Sequence, residues 1–417
     1  MQISLRSTPR WLLFGCCTLL AITEFMYLST RAARAHAWSE GVQQWQIERS
    51  VALEPQNSEY WYRLGNWHLL MDLDSVAALN AYSEAVRQNS HTASPYLDMA
   101  RASLIAGDRN QLVQALENAL RADPTTPSVN WEAANLYLAA GEVDRALPLF
   151  RTVSAESPEY RSSALDLSWR ATHDVNRMAA FAIPHDAAVY SDFLRLLVVR
   201  HETAAADELW QRLPTLCAPI PTKDSFIYLD SLLDQHRVSD AARAWRELAT
   251  LHPEISSYLA QNGNLVVNPK FEQEILNGGF DWRIRPPDKV SVELAASGES
   301  SGSGHGLSVT FEASNTDTAG IVQLIPLEAN SPYLLSLDYK TEDLEGAHGI
   351  FATVRDAYTG AQLAATDEFL GSTGWQQAST RFNTGSSTAL VSLELRHTAG
   401  TLIRGKLQIA DVRLVKE

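Results

Sequence analysis

The sequence predicts a multidomain α plus β protein with an N-terminal transmembrane helix, an α-helical solenoid and a C-terminal antiparallel β-sandwich. Three observations predict it: an apolar run near the start, a repeat of about 34 residues after it, and two-residue alternation in the last part of the chain. The chain has 417 residues, of which 45% are hydrophobic, so it is long enough for two or three well-filled cores.

Charge and cysteine content exclude several classes of function. The chain has 34 Lys and Arg residues and 49 Asp and Glu residues, and the resulting net charge of -15 repels a phosphate backbone. We therefore expect no nucleic-acid partner. Cys16 and Cys17 lie in the first apolar run, which leaves Cys217 alone, so neither a disulfide framework nor a cysteine zinc site is expected.

The first apolar run, residues 11–29, is long enough to cross a bilayer once. We interpret it as an uncleaved transmembrane signal anchor. Two arginines flank each side of the run, and the amino terminus adds a positive charge to the first side, which favours residues 1–10 in the cytoplasm. The rest of the chain would then be extracytoplasmic, on the periplasmic side of the inner membrane. The alternative is a cleavable signal peptide, for which Ala35-His36-Ala37 is the nearest small-residue pattern.

Residues 38–260 repeat a helix–turn–helix pattern with a period of about 34 residues. Gly107 and Gly141 end the first helices of two successive units, and a proline follows each second helix. Equivalent positions on the second helices carry Ala78, Leu112 and Ala146. Small and large residues that recur in this way predict a stack of helix pairs with a continuous core.

This region resembles the tetratricopeptide repeat family. Trp61-Tyr62-Arg63-Leu64-Gly65 matches the opening of the family motif, and Gly141-Glu142 followed by Arg145-Ala146-Leu147 matches its second helix. The resemblance implies a superhelix whose concave groove binds a peptide or another protein. Polar residues on first helices that could line that groove, or form an ordinary solvated surface, are Asn66, Arg101, Glu132 and Asn135.

Residues 262–417 change to short strands separated by turns. Val391, Leu393 and Leu395 alternate with polar residues, as do the apolar residues that follow Tyr333. This alternation is typical of half-buried antiparallel strands in a two-sheet sandwich.

The same region resembles jelly-roll carbohydrate-binding modules and related galactose-binding-like domains. The matching phrases include Asn268-Pro269-Lys270-Phe271-Glu272, Asn277-Gly278-Gly279-Phe280-Asp281-Trp282, Gly374-Trp375-Gln376 and Ile409-Ala410-Asp411-Val412. The resemblance implies a β-sandwich fold and a polysaccharide as ligand.

Seven residues are candidates for binding a carbohydrate. Tyr339 and Tyr358 are expected in loops or on faces opposite the core, where their rings could stack on a sugar. Trp282 and Trp375 could form a sugar platform or pack inside the sandwich. The polar candidates, which could hydrogen-bond to sugar hydroxyls, are Arg355, Asp356 and Arg396.

The resemblance also implies a structural calcium ion, held in that family by an early Glu and a late Asp. Glu272 and Asp411 occupy the matching phrases, and carboxylate oxygens suit a hard cation. Packing without a metal is the alternative. No other cofactor is expected.

The sequence contains no recognisable catalytic motif, so we predict a non-catalytic protein. Its expected role is that of a membrane-anchored envelope scaffold that binds a protein through its repeats, and a glycan through its β module, in exopolysaccharide or cell-envelope assembly or export. One alternative is a pure protein-interaction adaptor with a structural β module. Another is a carbohydrate-active enzyme with an unrecognised pair of carboxylates.

Overall fold

A computed structural model describes residues 8–260, 262–296 and 305–417. The chain divides into two compact units, Met1–Val189 and Tyr190–Glu417. Residues 1–7 of the predicted cytoplasmic segment, and residues 297–304 of the predicted β module, lie outside the described residues. The fold class is as predicted: a long apolar N-terminal helix, an α-helical solenoid and an antiparallel β-sandwich.

The first unit is a row of antiparallel helices. They are α1 (Thr8–Ser39), α2 (Gln44–Leu53), α3 (Ser58–Trp67), α4 (Ser75–Gln88), α5 (Ala93–Ala106), α6 (Arg109–Ala122), α7 (Pro127–Ala139), α8 (Val143–Glu156), α9 (Pro158–Thr172) and α10 (Val175–Arg177). Short π-helical segments, His68–Asp72 and Met178–Ala182, follow α3 and α10.

Local sequence explains where these helices begin and end. Asp74 and Asp108 accept hydrogen bonds from backbone N–H groups in the first turns of α4 and α6. Gly107 follows α5 with φ of 76°, a conformation that costs glycine little. Gly65 lets α3 approach α4, since a Cβ there would lie 2.4 Å from the Tyr82 ring.

The helix that contains the predicted anchor is longer than the predicted anchor. It continues past residue 29 to Ser39, and its last part packs into the array: Ala35 is fully buried with Ile47, Val51 and Tyr60. Packing against α2 and α3 therefore begins within α1, at Ala35. The apolar run ends before Arg31, but the helix continues to Ser39 because its last turns pack against α2 and α3.

The second unit begins with four helices, α11 (Ala187–Val199), α12 (Thr203–Leu216), α13 (Thr222–Asp234) and α14 (Val238–Leu251), followed by a 3-10 segment, Pro253–Tyr258. Trp210 on α12 stacks on Tyr228 of α13 with ring centroids 4.8 Å apart. Trp245 of α14 is also buried. The large side chains at the repeated positions thus fill the core.

The strands of the second unit are β1 (Arg283–Ile284), β2 (Val290–Ala296), β3 (His305–Ser314), β4 (Thr318–Pro326), β5 (Pro332–Gly346), β6 (Ile350–Asp356), β7 (Gln362–Ala365), β8 (Gly371–Asn383), β9 (Leu390–His397) and β10 (Ile403–Lys416). In the described part of the chain they form two five-stranded sheets, ordered β1-β4-β9-β6-β7 and β2-β3-β10-β5-β8. Each of these strand pairings is antiparallel.

Apolar residues from both sheets meet in one core between them. Leu335 and Leu337 of β5 and Leu393 of β9 are buried there, on the faces that the alternation predicted. Their polar neighbours point to the opposite sides of the sheets.

The last helices and the sandwich are joined within the second unit. Phe280 packs edge-on against Trp245 with ring centroids 6.0 Å apart. Arg283 of β1 forms a salt bridge of 2.6 Å with Asp230 of α13. Tyr258 donates a hydrogen bond to the carbonyl oxygen of Glu274 at 2.5 Å. Aromatic packing and charge pairing thus hold the sandwich against α13 and α14.

Candidate functional site

The first helices of successive pairs in the first unit share a polar surface, here called the first-helix face. It is defined by Tyr62 and Asn66 of α3, Asp98 and Arg101 of α5, and Glu132 and Asn135 of α7. Tyr62 donates a hydrogen bond to Asp98 at 2.8 Å, and Arg101 forms salt bridges with both Asp98 and Glu132. These bonds link three helices that are not consecutive in the chain.

Two tyrosines anchor this network at one end. Tyr82 of α4 donates to the side-chain oxygen of Asn66 at 2.8 Å. Burial raises the pKa of Tyr62 to about 12, with the bond to Asp98 adding to the rise, and burial also raises the pKa of Tyr82. Both hydroxyls therefore remain protonated donors at neutral pH.

The charged end of the face stays accessible. The side chains of Arg101 and Glu132 are 42% and 35% exposed, while that of Asp98 is 11% exposed. Asn135 uses its amide to donate to the carbonyl oxygen of Trp131 at 2.7 Å, one turn earlier in α7. The four polar residues singled out from the sequence thus share one face, and the missed members are Tyr62 and Asp98.

The two tyrosines expected to stack on a sugar instead pack against other residues of the protein. Tyr358 donates a hydrogen bond to the Leu233 carbonyl oxygen at 2.9 Å, and its ring stacks on His236 at 3.8 Å. Tyr339 lies on the core-facing side of β5, where it stacks on buried Phe369 at 4.1 Å. The expected position, opposite the core or in a loop, is therefore wrong for Tyr339. Tyr358 does lie in a loop, between β6 and β7, although its ring and hydroxyl are engaged by His236 and Leu233.

The polar candidates of the β module are also bonded within the fold. Arg355 donates to the Gly360 carbonyl oxygen, and Arg396 pairs with Asp317 and Glu394. Asp356 accepts bonds from the backbone N–H groups of Tyr358 and Thr359. Burial alone would raise the pKa of Asp356, but these bonds, together with those from the Thr388 and Thr359 side chains, outweigh burial and lower the pKa.

The two tryptophans have different environments. Trp282 is buried in the core and donates its indole N–H to the Asn268 carbonyl oxygen at 3.2 Å. Trp375 is half-buried on β8, an edge strand. The pairing of β8 with β5 shifts register between Gln376 and Thr373, so strand alternation does not decide which side of the sheet Trp375 faces. Trp375 is not part of the core cluster of the described residues. Of the seven candidates, Trp375 is the aromatic ring best placed for a ligand.

The two residues expected to hold calcium line one cavity. This cavity, here called the last-strand cavity, has a volume of about 480 Å³ and lies between residues 262–273 and β10. Its polar lining includes Asn264, Asn268, Lys270, Glu272, Gln273, Asp411 and Arg413.

The side chains of the last-strand cavity do not fit a calcium ion, which prefers six to eight oxygen ligands. Both carboxylate oxygens of Asp411 accept hydrogen bonds from the Arg413 guanidinium, at 3.1 and 2.5 Å. The side-chain oxygen of Asn264 accepts two backbone N–H groups. No group of three or more His, Cys, Asp or Glu residues able to hold a metal is found within the described ranges.

A second cavity of about 540 Å³ is lined by α13 and by the loop before β1. It contains two carboxylates one helical turn apart, Asp230 and Asp234. Because Asp230 is paired with Arg283, these carboxylates do not form the free acid and base that a glycosidase needs.

No protein-family model matches the chain, and no curated protein matches it. Solved structures similar to its β module include a structure described as "CBM4 structure and function" (15% identity, 36% of this chain, 99% of that chain, TM-score 0.29). Another is TmCBM61 in complex with beta-1,4-galactotriose (19% identity, 37% and 99%, TM-score 0.26). The helical part is similar to YrrB, a TPR protein with an unusual peptide-binding site (11% identity, 50% and 92%, TM-score 0.25).

Proposed function

We propose that this chain is a non-catalytic, membrane-anchored scaffold that binds a protein partner through its first-helix face. The observation that carries the proposal is the network of Tyr62, Asp98, Arg101 and Glu132. It joins three helices and keeps an exposed guanidinium between two carboxylates. Such a surface offers fixed donors and acceptors to the backbone and side chains of an extended peptide.

Site-specific photo-crosslinking tests this role. A photoreactive amino acid at Asn135, on the first-helix face, should give a discrete crosslinked protein in cells, and Arg101→Ala should abolish the adduct. The matched control position is Arg121, which is exposed on the second helix α6. Equal crosslinking from both positions, or none from Asn135, would contradict the proposal.

The anchor is supported by the composition and packing of α1. Within Trp11–Ser39, the most apolar window of 18 residues has a mean hydropathy of 1.7, and large apolar side chains such as Leu13 and Phe25 are 70% and 72% exposed. A bilayer would cover this surface. Removal of the segment at Ala35–Ala37 would cut α1 where Ala35 is buried among the first helices, which supports a retained anchor.

We place the array and the β module on the periplasmic side of the inner membrane, where they would serve exopolysaccharide or cell-envelope assembly or export. Protease accessibility of a tag after Glu417, compared in intact and permeabilised cells, tests this orientation. Digestion only after the inner membrane is opened would overturn it. The mass of the protein purified from membranes shows whether residues 1–37 are retained.

A glycan bound around Trp375 is a second candidate function, favoured by the position of that half-buried ring outside the core cluster of the described residues. Asp338 and Gln377, which are hydrogen-bonded to each other, lie on the outer side of the same sheet. Polysaccharide binding by the full-length protein in detergent should be saturable and lost in Trp375→Ala. The absence of binding across a panel would favour the alternative of a protein-interaction adaptor with a structural β module, which the engagement of Tyr339 and Tyr358 also supports.

A further inference from the structure

The two ends of the β module are held together by direct hydrogen bonds. Leu265 donates its backbone N–H to the Leu414 carbonyl oxygen at 2.9 Å, and Val412 donates to that of Pro269 at 3.0 Å. The amide of Asn264 adds two more bonds, from its nitrogen to the Val412 carbonyl oxygen and from the Leu414 N–H to its oxygen. The early segment is thus fixed to the last strand by protein groups alone.

Asp411 is the carboxylate of the last-strand cavity that most needs a cation. Its side chain is 16% exposed, and its backbone has φ of 43° at a β-bulge in β10. A largely buried carboxylate without a partner is costly. Arg413, two residues further on, supplies the counter-charge through a two-point contact with both carboxylate oxygens.

We propose that the Arg413 guanidinium serves as a built-in cation at the last-strand cavity, so that the β module is stable without a metal ion. The charges of the cavity support this. Among the charged residues that line the cavity, Lys270 and Arg413 balance Glu272 and Asp411, so the lining itself gives little attraction for a divalent cation. The two-point contact with the Arg413 guanidinium fixes the orientation of the Asp411 carboxylate, and no metal ion has to bind first.

The proposal predicts that removing Arg413 creates a divalent-cation site. In Arg413→Met, Asp411 becomes an uncompensated carboxylate that shares the cavity with Glu272. Calcium should then stabilise the folded protein by mass action. In wild type the guanidinium already occupies both oxygens of Asp411, so calcium should have no effect.

Thermal unfolding of the full-length protein in detergent, in chelator and in millimolar calcium, tests this. We expect the Tm of wild type to be the same in both conditions. Arg413→Met should have a lower Tm in chelator. Calcium should raise that Tm by about 2–4 °C for each tenfold increase in calcium concentration above the dissociation constant. The double variant Asp411→Asn with Arg413→Met should not respond to calcium.

Lys416→Met is the matched control, because Lys416 is a cation on the same strand that pairs with Glu328 instead. Its Tm should not depend on calcium. Arg413→Lys keeps a positive charge without the two-point contact, so it should be less stable than wild type and remain insensitive to calcium, which provides a test if Arg413→Met does not fold. Calcium stabilisation of wild type that Asp411→Asn removes would overturn the proposal, as would a folded Arg413→Met protein that ignores calcium.

Discussion

The first-helix face and the β module use similar residues in opposite ways. On the first-helix face, the bonded network of Asp98, Arg101 and Glu132 leaves charged groups open to solvent. In the β module, Tyr358 and Arg396 are also bonded, to Leu233 and Asp317, but the Arg396 side chain is only 24% exposed, against 42% for Arg101. Aromatic and charged residues therefore indicate a binding surface only where the fold leaves part of their bonding capacity unused.

The largest expected effect separates the two tryptophans of the β module. Trp282→Ala should destabilise the protein by about 3–5 kcal/mol, because it removes a buried side chain and leaves a cavity. Trp375→Ala should cost about 1 kcal/mol or less, since this ring is half-buried outside the core cluster of the described residues. Urea denaturation followed by circular dichroism measures both changes. Similar losses would show that Trp375 is a core residue and would remove the glycan candidate.

Asp281 provides the next test, because it is fully buried near the contact between the sandwich and α14. Burial raises its pKa to about 7, although one carboxylate oxygen accepts the Leu276 N–H at 2.7 Å. The folded state therefore holds a proton that the unfolded state, with a pKa of about 3.9, has already released. Stability should fall as pH rises from about 4 to about 7, by up to about 4 kcal/mol, and Asp281 should contribute no further change above that range.

Asp281→Asn is the control for this pH dependence, because the amide keeps an oxygen for the Leu276 N–H but does not titrate. The difference between wild type and the variant isolates Asp281 from the other carboxylates. Chemical denaturation at several pH values measures it. A constant difference between pH 4 and 7 would mean that Asp281 is solvated and that the contact around it is open.

The repeat array could be predicted from the sequence because each helix pair meets equivalent neighbours. Ala78, Leu112 and Ala146 recur at one position and are all fully buried. The apolar run alone does not predict that α1 extends to Ser39, because the residues after the run pack against other helices and are not uniformly apolar. Ala35 and Trp38, spaced for one helical face, were the signal that could have indicated it.

The β module shows where sequence reasoning stops. Alternation predicts which residues share a face, but the partner that covers a face can lie far away in the chain, as Leu233 does for Tyr358. A basic residue two positions after the late Asp was a readable signal, because Arg413 is close enough in the chain to reach Asp411. The β-bulge at Asp411, which interrupts the strand alternation, could not be read from the sequence.

A smaller effect is expected from the glycines that allow α14 to approach the sandwich. Gly279 has φ of 58°, and a Cβ there would lie 2.2 Å from the Trp245 ring. Gly371 has φ of 75° with nothing within 4 Å of its Cβ position, so it is the matched control. Both alanine variants carry the left-handed backbone strain, but Gly279→Ala should cost about 1–3 kcal/mol more because of overpacking. Equal Tm values would show that the Trp245 contact is loose.

The smallest effect concerns the hydroxyl of Tyr358. Tyr358→Phe loses the hydrogen bond to the Leu233 carbonyl oxygen and should cost about 1 kcal/mol, while the stack on His236 remains. Tyr62→Phe is the comparison in the first unit, since it loses the bond to Asp98. Limited proteolysis should show faster cleavage around α13 in the first variant and around α5 in the second. If Tyr358→Phe instead weakened polysaccharide binding at unchanged stability, the hydroxyl would serve a ligand, and the contrast between the first-helix face and the β module would not hold at this residue.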